Sequence, residues 1–256
     1  MDWNGRIVFI TGASSGIGAA CARAFGRAGA RLLLAARRRK RLSEVAAEAG
    51  GGIPGRVLEL ELDVRDERAV ARALAALPEE WSAIDVLINN AGLSRGLAKL
   101  HEGELADWEE MIDTNVKGLL YVTRAVLPGM VARGRGHVIN LGSIAGHESY
   151  PGGNVYCASK AAVKALTSAL RMDLVDTPIR VSTIDPGLVE TEFSLVRFHG
   201  DAARAAQVYQ GLEPLTANDV AEVVLFCATR PPHVNLAEVL LLPTAQASAT
   251  VVHRRP

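Results

Sequence analysis

The stretch RIVFITGASSGIG, residues 6–18, joins a short apolar, β-branched run to three closely spaced glycines, Gly12, Gly16 and Gly18. An alanine-rich segment with helical character follows it to about Ala28. Glycines between a strand and a helix let the backbone turn tightly and approach a ligand, and the N-terminus of the helix attracts phosphate. The stretch therefore predicts the phosphate-binding turn of a βα unit.

The alternation of strand and helix continues through the rest of the chain. The further predicted strands are 31–36, 56–62, 84–89, 136–142, 179–185 and 238–242, and the further predicted helices are 38–49, 66–77, 105–133 and 154–176. We interpret the strands as continuously apolar, which is expected when helices cover both faces of a sheet. Right-handed crossovers then give one α/β domain over residues 1–256, a doubly wound, Rossmann-type parallel sheet with helices on both faces.

Composition limits the class of protein. The 256 residues are 49% apolar and 22% charged, which excludes a disordered chain, and 28 basic residues balance 28 acidic ones. A neutral chain lacks the positive field that nonspecific nucleic-acid binding requires. The three cysteines fit neither a disulfide framework nor the ligand spacing of structural zinc. The N-terminus matches neither a signal peptide nor a membrane span, so we expect a cytoplasmic protein with no nucleic-acid, membrane or metal partner.

The glycine loop also matches a different motif. Residues 12–16, GASSG, fit the GxSxG nucleophile elbow of α/β-hydrolases, in which several strands precede the elbow and an acidic residue and a histidine follow it. Only one predicted strand precedes the loop here, and no downstream histidine is placed convincingly. We therefore favour a phosphate-binding loop over a nucleophile elbow.

The end of the second predicted strand carries Arg37 and Arg38, where a fold that binds NAD needs a carboxylate. The first acidic residue after them is Glu44. A guanidinium at Arg37 can bind a 2′-phosphate, which an acidic residue would repel, so this position predicts NADP as the cofactor. A solvated helix start and a basic nucleic-acid patch are the alternatives for residues 37–41, and residues 39–41 are expected in solvent.

Ser143, Tyr156 and Lys160 form a candidate catalytic set. Tyr156 and Lys160 are four residues apart in a predicted helix and share one face, and Ser143 ends the preceding strand. An unperturbed tyrosine is a poor base at neutral pH, but a neighbouring ammonium favours its phenolate and makes it a usable general acid or base. Ser143 is placed to donate a hydrogen bond to a substrate oxygen. A YxxxK pair alone is common by chance, and the glycine loop and Arg37 give it weight here.

These residues, with others in the same order and spacing, resemble the short-chain dehydrogenase/reductase family along essentially the whole chain. The matching residues are Thr11, Gly12, Gly16, Gly18, Asp63, Val64, Asn89, Asn90, Ala91, Gly92, Asn115, Ser143, Tyr156, Lys160, Pro186, Gly187 and Thr191. The resemblance implies that Tyr156 transfers the proton, Lys160 orients the cofactor ribose and tunes Tyr156, Ser143 positions the substrate oxygen, and Asn115 holds a water in the proton relay.

The resemblance also implies a cofactor cleft, in which Asp63 contacts adenine, Asn90 lines the cleft and Thr191 contacts the carboxamide. The candidate cofactor-binding residues are Gly12, Ser14, Ser15, Gly16, Ile17, Gly18, Arg37, Arg38, Asp63, Val64, Asn90, Ala91, Gly92, Tyr156, Lys160, Pro186, Gly187, Val189 and Thr191. Purely structural roles stay open for Asn89, Gly92 and Pro186.

The C-terminal third resembles one group in that family, the NADP-dependent 3-hydroxy acid dehydrogenases, which are tetramers and also oxidise serine and allo-threonine. The similar segments are 186–198, 214–215, 219–221 and 243–248. This implies hydride transfer between NADP(H) and a small 3-hydroxy acid or its semialdehyde or keto form, in a homotetramer. Asp185 departs from the pattern, because a small apolar residue is expected there.

A hydroxy acid carries a carboxylate that a mostly apolar cleft would reject without a cation. Arg95 and Arg197 are the candidates for that cation, and residues 253–255, His-Arg-Arg, are an alternative that would come from a neighbouring subunit.

Two other functions stay open: reduction of a bulkier ketone, such as a steroid or acyl-carrier substrate, and nucleotide sensing without turnover. The complete set of Asn115, Ser143, Tyr156 and Lys160 argues against a sensor, which needs no proton donor.

Overall fold

A seven-stranded parallel sheet forms the centre of the molecule. The computed structural model describes residues 3–255, so the first two residues and the last residue of the predicted domain lie outside the described range. The strands are β1 Ile7–Thr11, β2 Arg31–Ala36, β3 Val57–Glu61, β4 Ile84–Asn89, β5 Gly136–Leu141, β6 Ile179–Pro186 and β7 Glu238–Leu241. Their order in the sheet is β3-β2-β1-β4-β5-β6-β7, and neighbouring strands pair in parallel. The predicted doubly wound α/β sheet is confirmed.

The helices follow the strands in sequence. They are α1 Gly16–Arg27, α2 Arg39–Gly50, α3 Glu67–Ala75, α4 Glu79–Ser82, α5 Leu105–Ile112, α6 Leu119–Arg133, α7 Asn154–Asp173, α8 Phe193–Arg197, α9 Ala202–Gln207 and α10 Ala217–Ala228. The long helical region predicted near 105–133 is confirmed, and within it a π-helical turn, Asp113–Gly118, joins α5 to α6. Helix α10 is not among the predicted helices, although Thr216 and Asp219 form a capping box at its start. Within the described residues, no helix combines the length and apolar character needed to cross a bilayer.

Helices cover both faces of the sheet and enclose two apolar cores. On one face, α1, α2 and α10 pack on the sheet through side chains such as Phe25, Leu42 and Val224. On the other face, α3 and α6 pack through side chains that include Val70 and Val126. This two-sided cover explains why β1 and β4 are buried at every position.

The two edge strands correct the prediction that all strands are continuously apolar. In β3, Glu59 and Glu61 are exposed between half-buried apolar residues, and in β7 Glu238 and Leu240 are exposed in the same alternating way. An edge strand buries one face and leaves the other partly in solvent, so successive side chains alternate between the core and water.

The close approach of α1 to α2 requires a glycine at position 26. A Cβ on Gly26 would lie 2.2 Å from the carbonyl oxygen of Ala49. We expect Gly26→Ala to lower the free energy of unfolding by about 1–3 kcal/mol, because backbone atoms must move apart. In the control Gly129→Ala, the added Cβ meets the end of the flexible Arg133 side chain, and we expect a gain of about 0.5–1 kcal/mol. Urea unfolding at one protein concentration measures both; equal stabilities would contradict the prediction.

Candidate active site

The carboxyl ends of the central strands open into a cavity of about 810 Å³. Ligands of open α/β sheets bind at this edge, and the volume lies within the range of small-molecule sites. The predicted residues that line it are Gly12, Ser14, Ser15, Gly16, Ile17, Arg37, Arg38, Asp63, Val64, Asn90, Ala91, Gly92, Arg95, Ser143, Tyr156, Lys160, Pro186, Gly187, Val189, Thr191 and Arg197. Gly18 and Asn115 lie outside this lining.

The glycine loop packs against the turn that follows β4. Gly12 has a φ of 65°, and a Cβ there would lie 2.9 Å from the Cα of Ala91. Asn90 donates hydrogen bonds from its amide nitrogen to the carbonyl oxygens of Thr11 at 2.9 Å and Gly12 at 3.1 Å. A Cβ on Gly18 would lie 2.4 Å from that amide nitrogen. Gly18 therefore serves the packing of α1 on the loop, and Asn90 holds the loop in place.

The arginines after β2 surround the glycine loop with positive charge. The Arg38 guanidinium donates to the hydroxyl oxygens of Ser15 at 2.6 Å and Ser14 at 3.3 Å. Arg37 is half exposed, and its Nη1 lies 4.0 Å from a carboxylate oxygen of Asp63. Arg41 is exposed, as expected, and also forms an ion pair with the Glu192 carboxylate.

Asp63 pairs with Arg65, a residue that the sequence analysis did not single out. The Arg65 guanidinium donates to both carboxylate oxygens of Asp63, at 3.0 Å from Nε and 2.6 Å from Nη2. Burial alone would raise the pKa of the Asp63 carboxyl, but the hydrogen bonds and charge of Arg65 outweigh it and hold that pKa below its ordinary value. Asp63 is therefore ionised where it lines the cavity, and its contact with adenine stays a prediction.

Ser143, Tyr156 and Lys160 meet at one wall of the cavity. Ser143 follows β5, and its hydroxyl accepts a hydrogen bond from the Ala145 backbone N–H at 3.1 Å. Tyr156 and Lys160 project from the first half of α7 and are both buried. The Lys160 ammonium donates to the carbonyl oxygen of Leu141 at 2.7 Å and lies 6.0 Å from the centroid of the Tyr156 ring. The structure thus brings the three predicted catalytic residues together.

Burial is the main influence on the charge state of Tyr156. It raises the pKa of the Tyr156 phenol well above its usual value, and Arg197 and a hydrogen bond with Ser143 oppose that rise. The predicted influence of Lys160 on the phenol of the cofactor-bound site stays a prediction. Burial also lowers the pKa of the Lys160 ammonium to about 8, with Asp185 acting in the other direction. Tyr156 is therefore a neutral phenol at pH 7, in the form that donates a proton.

Asn115 lies in the π-helical turn and is buried behind the cavity wall. Its amide oxygen accepts from the Leu93 N–H at 2.8 Å, and its amide nitrogen donates to the Leu93 carbonyl at 2.8 Å and to the Ser159 hydroxyl at 3.0 Å. Asn115 therefore joins the turn after β4 to α7, the helix that carries Tyr156. Its predicted role in holding a water stays a prediction.

Asp185, the residue that departs from the family pattern, is 1% exposed and does not line the cavity. Its carboxylate accepts from the Thr183 hydroxyl at 2.6 Å and pairs with the His147 ring at 2.8 Å. The other ring nitrogen of His147 lies 2.8 Å from the Lys164 ammonium. A Cβ on Gly142 would collide with the Asp185 carboxylate, so Asp185 packs directly against the residue before Ser143.

Arg95 and Arg197, the two candidate substrate cations, have different partners. Arg95 donates to a carboxylate oxygen of Glu110 at 2.7 Å and to the carbonyl oxygen of Val196 at 2.6 Å. Arg95 is therefore already neutralised, and it fixes the position of α8.

Arg197 is buried beside Tyr156. Its Nη2 donates to the Tyr150 hydroxyl at 3.0 Å, and its Nε has no hydrogen-bond partner among the described residues. The guanidinium lies 5.3 Å from the centroid of the Tyr156 ring and 5.0 Å from that of Phe193. A buried cation without a carboxylate partner is costly, and it provides a place for an anionic group of a ligand.

The C-terminal residues 253–255 are the alternative candidate cations from a neighbouring subunit, and that contact stays a prediction. Within its own chain, Arg254 lines the cavity and donates to the carbonyl oxygens of Gln210 at 2.6 Å and Val208 at 2.9 Å. The C-terminal segment therefore supports the wall of this cavity.

Several known proteins are similar to this chain in sequence and in fold. A family model for short chain dehydrogenases matches residues 6–200. An "NADP-dependent 3-hydroxy acid dehydrogenase" of Schizosaccharomyces pombe is 48% identical over 253 residues, 98% of each chain. One of Salmonella typhi is 49% identical over 250 residues, 97% of this chain and 99% of that one. The closed form of a serine dehydrogenase complexed with NADP+ is 47% identical with a TM-score of 0.92, covering 97% of this chain and 100% of that one.

Proposed function

We propose that this chain, which belongs to the short-chain dehydrogenase family, is an oxidoreductase. It transfers hydride between NADP(H) and a small 3-hydroxy acid or its semialdehyde or keto form. The observation that carries this proposal is the buried Arg197 guanidinium beside the ring of Tyr156. A cation at that place suits a substrate whose carboxylate lies a few atoms from the reacting oxygen. The names of the relatives that are 48% and 49% identical support the same substrate class.

The residues of the cavity fit NADP(H). Ser15 is the N-cap residue of α1, but its side chain accepts no capping hydrogen bond from the helix backbone. The first N–H groups of α1 can therefore donate hydrogen bonds to a pyrophosphate. Arg37 and Arg38 are the residues that would hold the 2′-phosphate. When bound, NADPH supplies hydride and NADP+ accepts it.

The side chains of the site supply orientation and the proton. In reduction, the neutral Tyr156 phenol donates its proton to the substrate carbonyl oxygen as hydride reaches the carbonyl carbon, and oxidation runs the same transfer backwards. Ser143 donates a hydrogen bond to that oxygen. Lys160, anchored on the Leu141 carbonyl, keeps its positive charge below about pH 8. The charge of Arg197 and the hydrogen bond with Ser143 favour the phenolate that forms when the proton leaves.

A bulkier ketone is the second candidate substrate. Leu97, Phe193 and Val196 line the cavity near the catalytic tyrosine and offer apolar surface to such a compound. NADPH oxidation measured with a 3-oxo acid, its methyl ester and a cyclic ketone separates the two. We expect the highest kcat/KM for the acid. A higher value for the cyclic ketone would favour the alternative, and cofactor binding without turnover of any compound would favour a sensor.

The preference for NADP depends on Arg37. We expect Arg37→Asp to lower kcat/KM with NADP about tenfold relative to NAD, because a carboxylate there repels the 2′-phosphate. Arg39→Asp is the matched control, since Arg39 is exposed and outside the cavity lining. An unchanged NADP-to-NAD ratio in Arg37→Asp, or the same change in both variants, would contradict the assignment.

We also propose that the enzyme is a homotetramer. Exposed apolar side chains of the described chain include Leu120 on α6, Met172 on α7, Phe226 on α10 and Leu240 on β7. Two different self-complementary faces are what a tetramer with three twofold axes requires. Light scattering should give four times the chain mass of 27.2 kDa.

The proposed place of action is the cytoplasm. Cys21, Cys157 and Cys227 are free and buried in the described chain. Unpaired thiols are usual in a reducing compartment. Cell fractionation tests this location.

A further inference from the structure

Glu192 connects the two ends of the cavity. It stands between Thr191 and the start of α8, and its carboxylate accepts a hydrogen bond from Arg38 Nη1 at 2.9 Å. Its other oxygen pairs closely with Arg41 Nη1. Both arginines belong to the segment after β2, which is 151 or more residues away in the chain. The carboxylate of Glu192, next to the segment proposed to contact the substrate, is thus bound by Arg38 and Arg41, which follow the strand proposed to contact the cofactor.

The segment that Glu192 anchors reaches the reacting centre. At one end, the side chain of Thr191 lies where a Cβ on Gly16 of the glycine loop would touch it, at 3.4 Å. At the other end, the Phe193 ring lies 5.5 Å from the Tyr156 ring. α8 then carries Arg197 over the same tyrosine. The ion pairs of Glu192 with Arg38 and Arg41 therefore hold α8 in place, and with it Arg197, which the proposed function assigns to the substrate.

We propose that Glu192 is a positioning residue that shares Arg38 with the 2′-phosphate of NADP: it weakens binding of that phosphate while it holds α8 over the substrate. This inference rests on the proposed function, because it takes NADP as the cofactor and Arg197 as a substrate contact. Arg38 is suited to two anions, because a guanidinium has donors on three nitrogens. The Nε of Arg38 donates a hydrogen bond to Ser14, its Nη2 donates to Ser15, and its Nη1 donates to Glu192.

The sign of the effect follows from the charges. A phosphate monoester carries a charge near −2 at pH 7, and Glu192 carries −1. Two anions on one guanidinium lie roughly 6 Å apart, and in salt their repulsion weakens binding of the phosphate about threefold to tenfold. NAD has no 2′-phosphate, so Glu192 does not repel it in this way.

Glu192→Gln is the test, with direct titration of NADP+ and NAD+ by calorimetry on the full-length protein. We expect the variant to bind NADP+ about threefold to tenfold more tightly, with NAD+ affinity unchanged. Raising the salt to about 0.5 M should remove most of the gain, since it screens exposed charges. The same variant should raise KM for the hydroxy acid about threefold, because two exposed ion pairs that hold α8 are lost.

Two further variants separate this proposal from a general loosening of the structure. Glu190→Gln removes the same charge from an exposed residue two positions earlier, and we expect no change in either affinity. Arg41→Gln loses one of the two ion pairs of Glu192 and also removes a cation, so it should raise KM less than Glu192→Gln does and should weaken NADP+ binding instead of tightening it.

The outcomes are distinguishable. If the unaltered protein binds NADP+ no better than NAD+, the proposed cofactor itself is wrong. If it prefers NADP+ but Glu192→Gln leaves NADP+ affinity unchanged, or weakens both cofactors alike, Glu192 has no such role. A gain for NADP+ with an unchanged KM would overturn the anchoring of α8.

Discussion

Replacing Tyr156 with Phe is expected to lower kcat by about 100- to 10,000-fold, the usual contribution of a positioned general acid or base. Phe keeps the ring that packs against Phe193 but has no proton to transfer. Cofactor affinity should stay nearly unchanged, because the variant keeps Lys160 and the glycine loop. Steady-state kinetics of a 3-oxo acid with NADPH, together with titration of NADP+, measure both quantities.

Tyr150→Phe is the matched control for the Tyr156 variant. Tyr150 is also a largely buried tyrosine of the cavity lining, and its hydroxyl accepts a hydrogen bond from Arg197. Losing that hydroxyl removes one contact to the proposed substrate cation and should change kcat less than tenfold. Activity of Tyr156→Phe within tenfold of the unaltered protein would falsify the assignment of the proton donor.

Replacing Arg197 with Gln is expected to raise KM for a 3-oxo acid about 10- to 150-fold, since hydrogen bonds to a charged group contribute about 1.5–3 kcal/mol. KM for the uncharged methyl ester should change little. The acid and the ester are compared as substrates for reduction, because oxidation also depends on Arg197 through the pKa of Tyr156. The positive charge of Arg197 lowers the pKa of Tyr156, so its loss strengthens retention of the proton and impairs oxidation for both compounds.

Arg95→Gln is the control for the Arg197 variant. Arg95 is held by Glu110 and by the carbonyl of Val196, so its loss should disturb α8 and affect acid and ester alike. The roles of Arg95 and Arg197 are thus distinguished by the ratio of KM for the acid to KM for the ester, and not by the loss of activity alone. If Arg197→Gln also treats acid and ester alike, the carboxylate is not recognised there and the bulkier ketone becomes the better candidate.

The strands and the catalytic set could be predicted because their signals are local. Strand β2 begins and ends where the apolar run predicts, and Tyr156 and Lys160 share a face of α7 because they are one helical turn apart. The break at Asp113–Gly118 could not be predicted from helical periodicity, which continues through it. The exposure of Glu59 and Glu61 in β3 could not be predicted, because the sequence of one strand does not show whether that strand lies at the edge of the sheet.

By itself, the sequence determined the βα architecture, the glycine loop and the positions of Ser143, Tyr156 and Lys160, because backbone sterics and burial periodicity act between neighbours in the chain. Only the tertiary structure decided which charged groups meet. Arg95 is neutralised by Glu110 while Arg197 stays without a carboxylate partner in the described chain, and Arg38 finds Glu192 across 154 residues. The physical reason is that the partner of a charge depends on how distant segments pack, and packing sets both the distance and the solvent exposure that govern each electrostatic interaction.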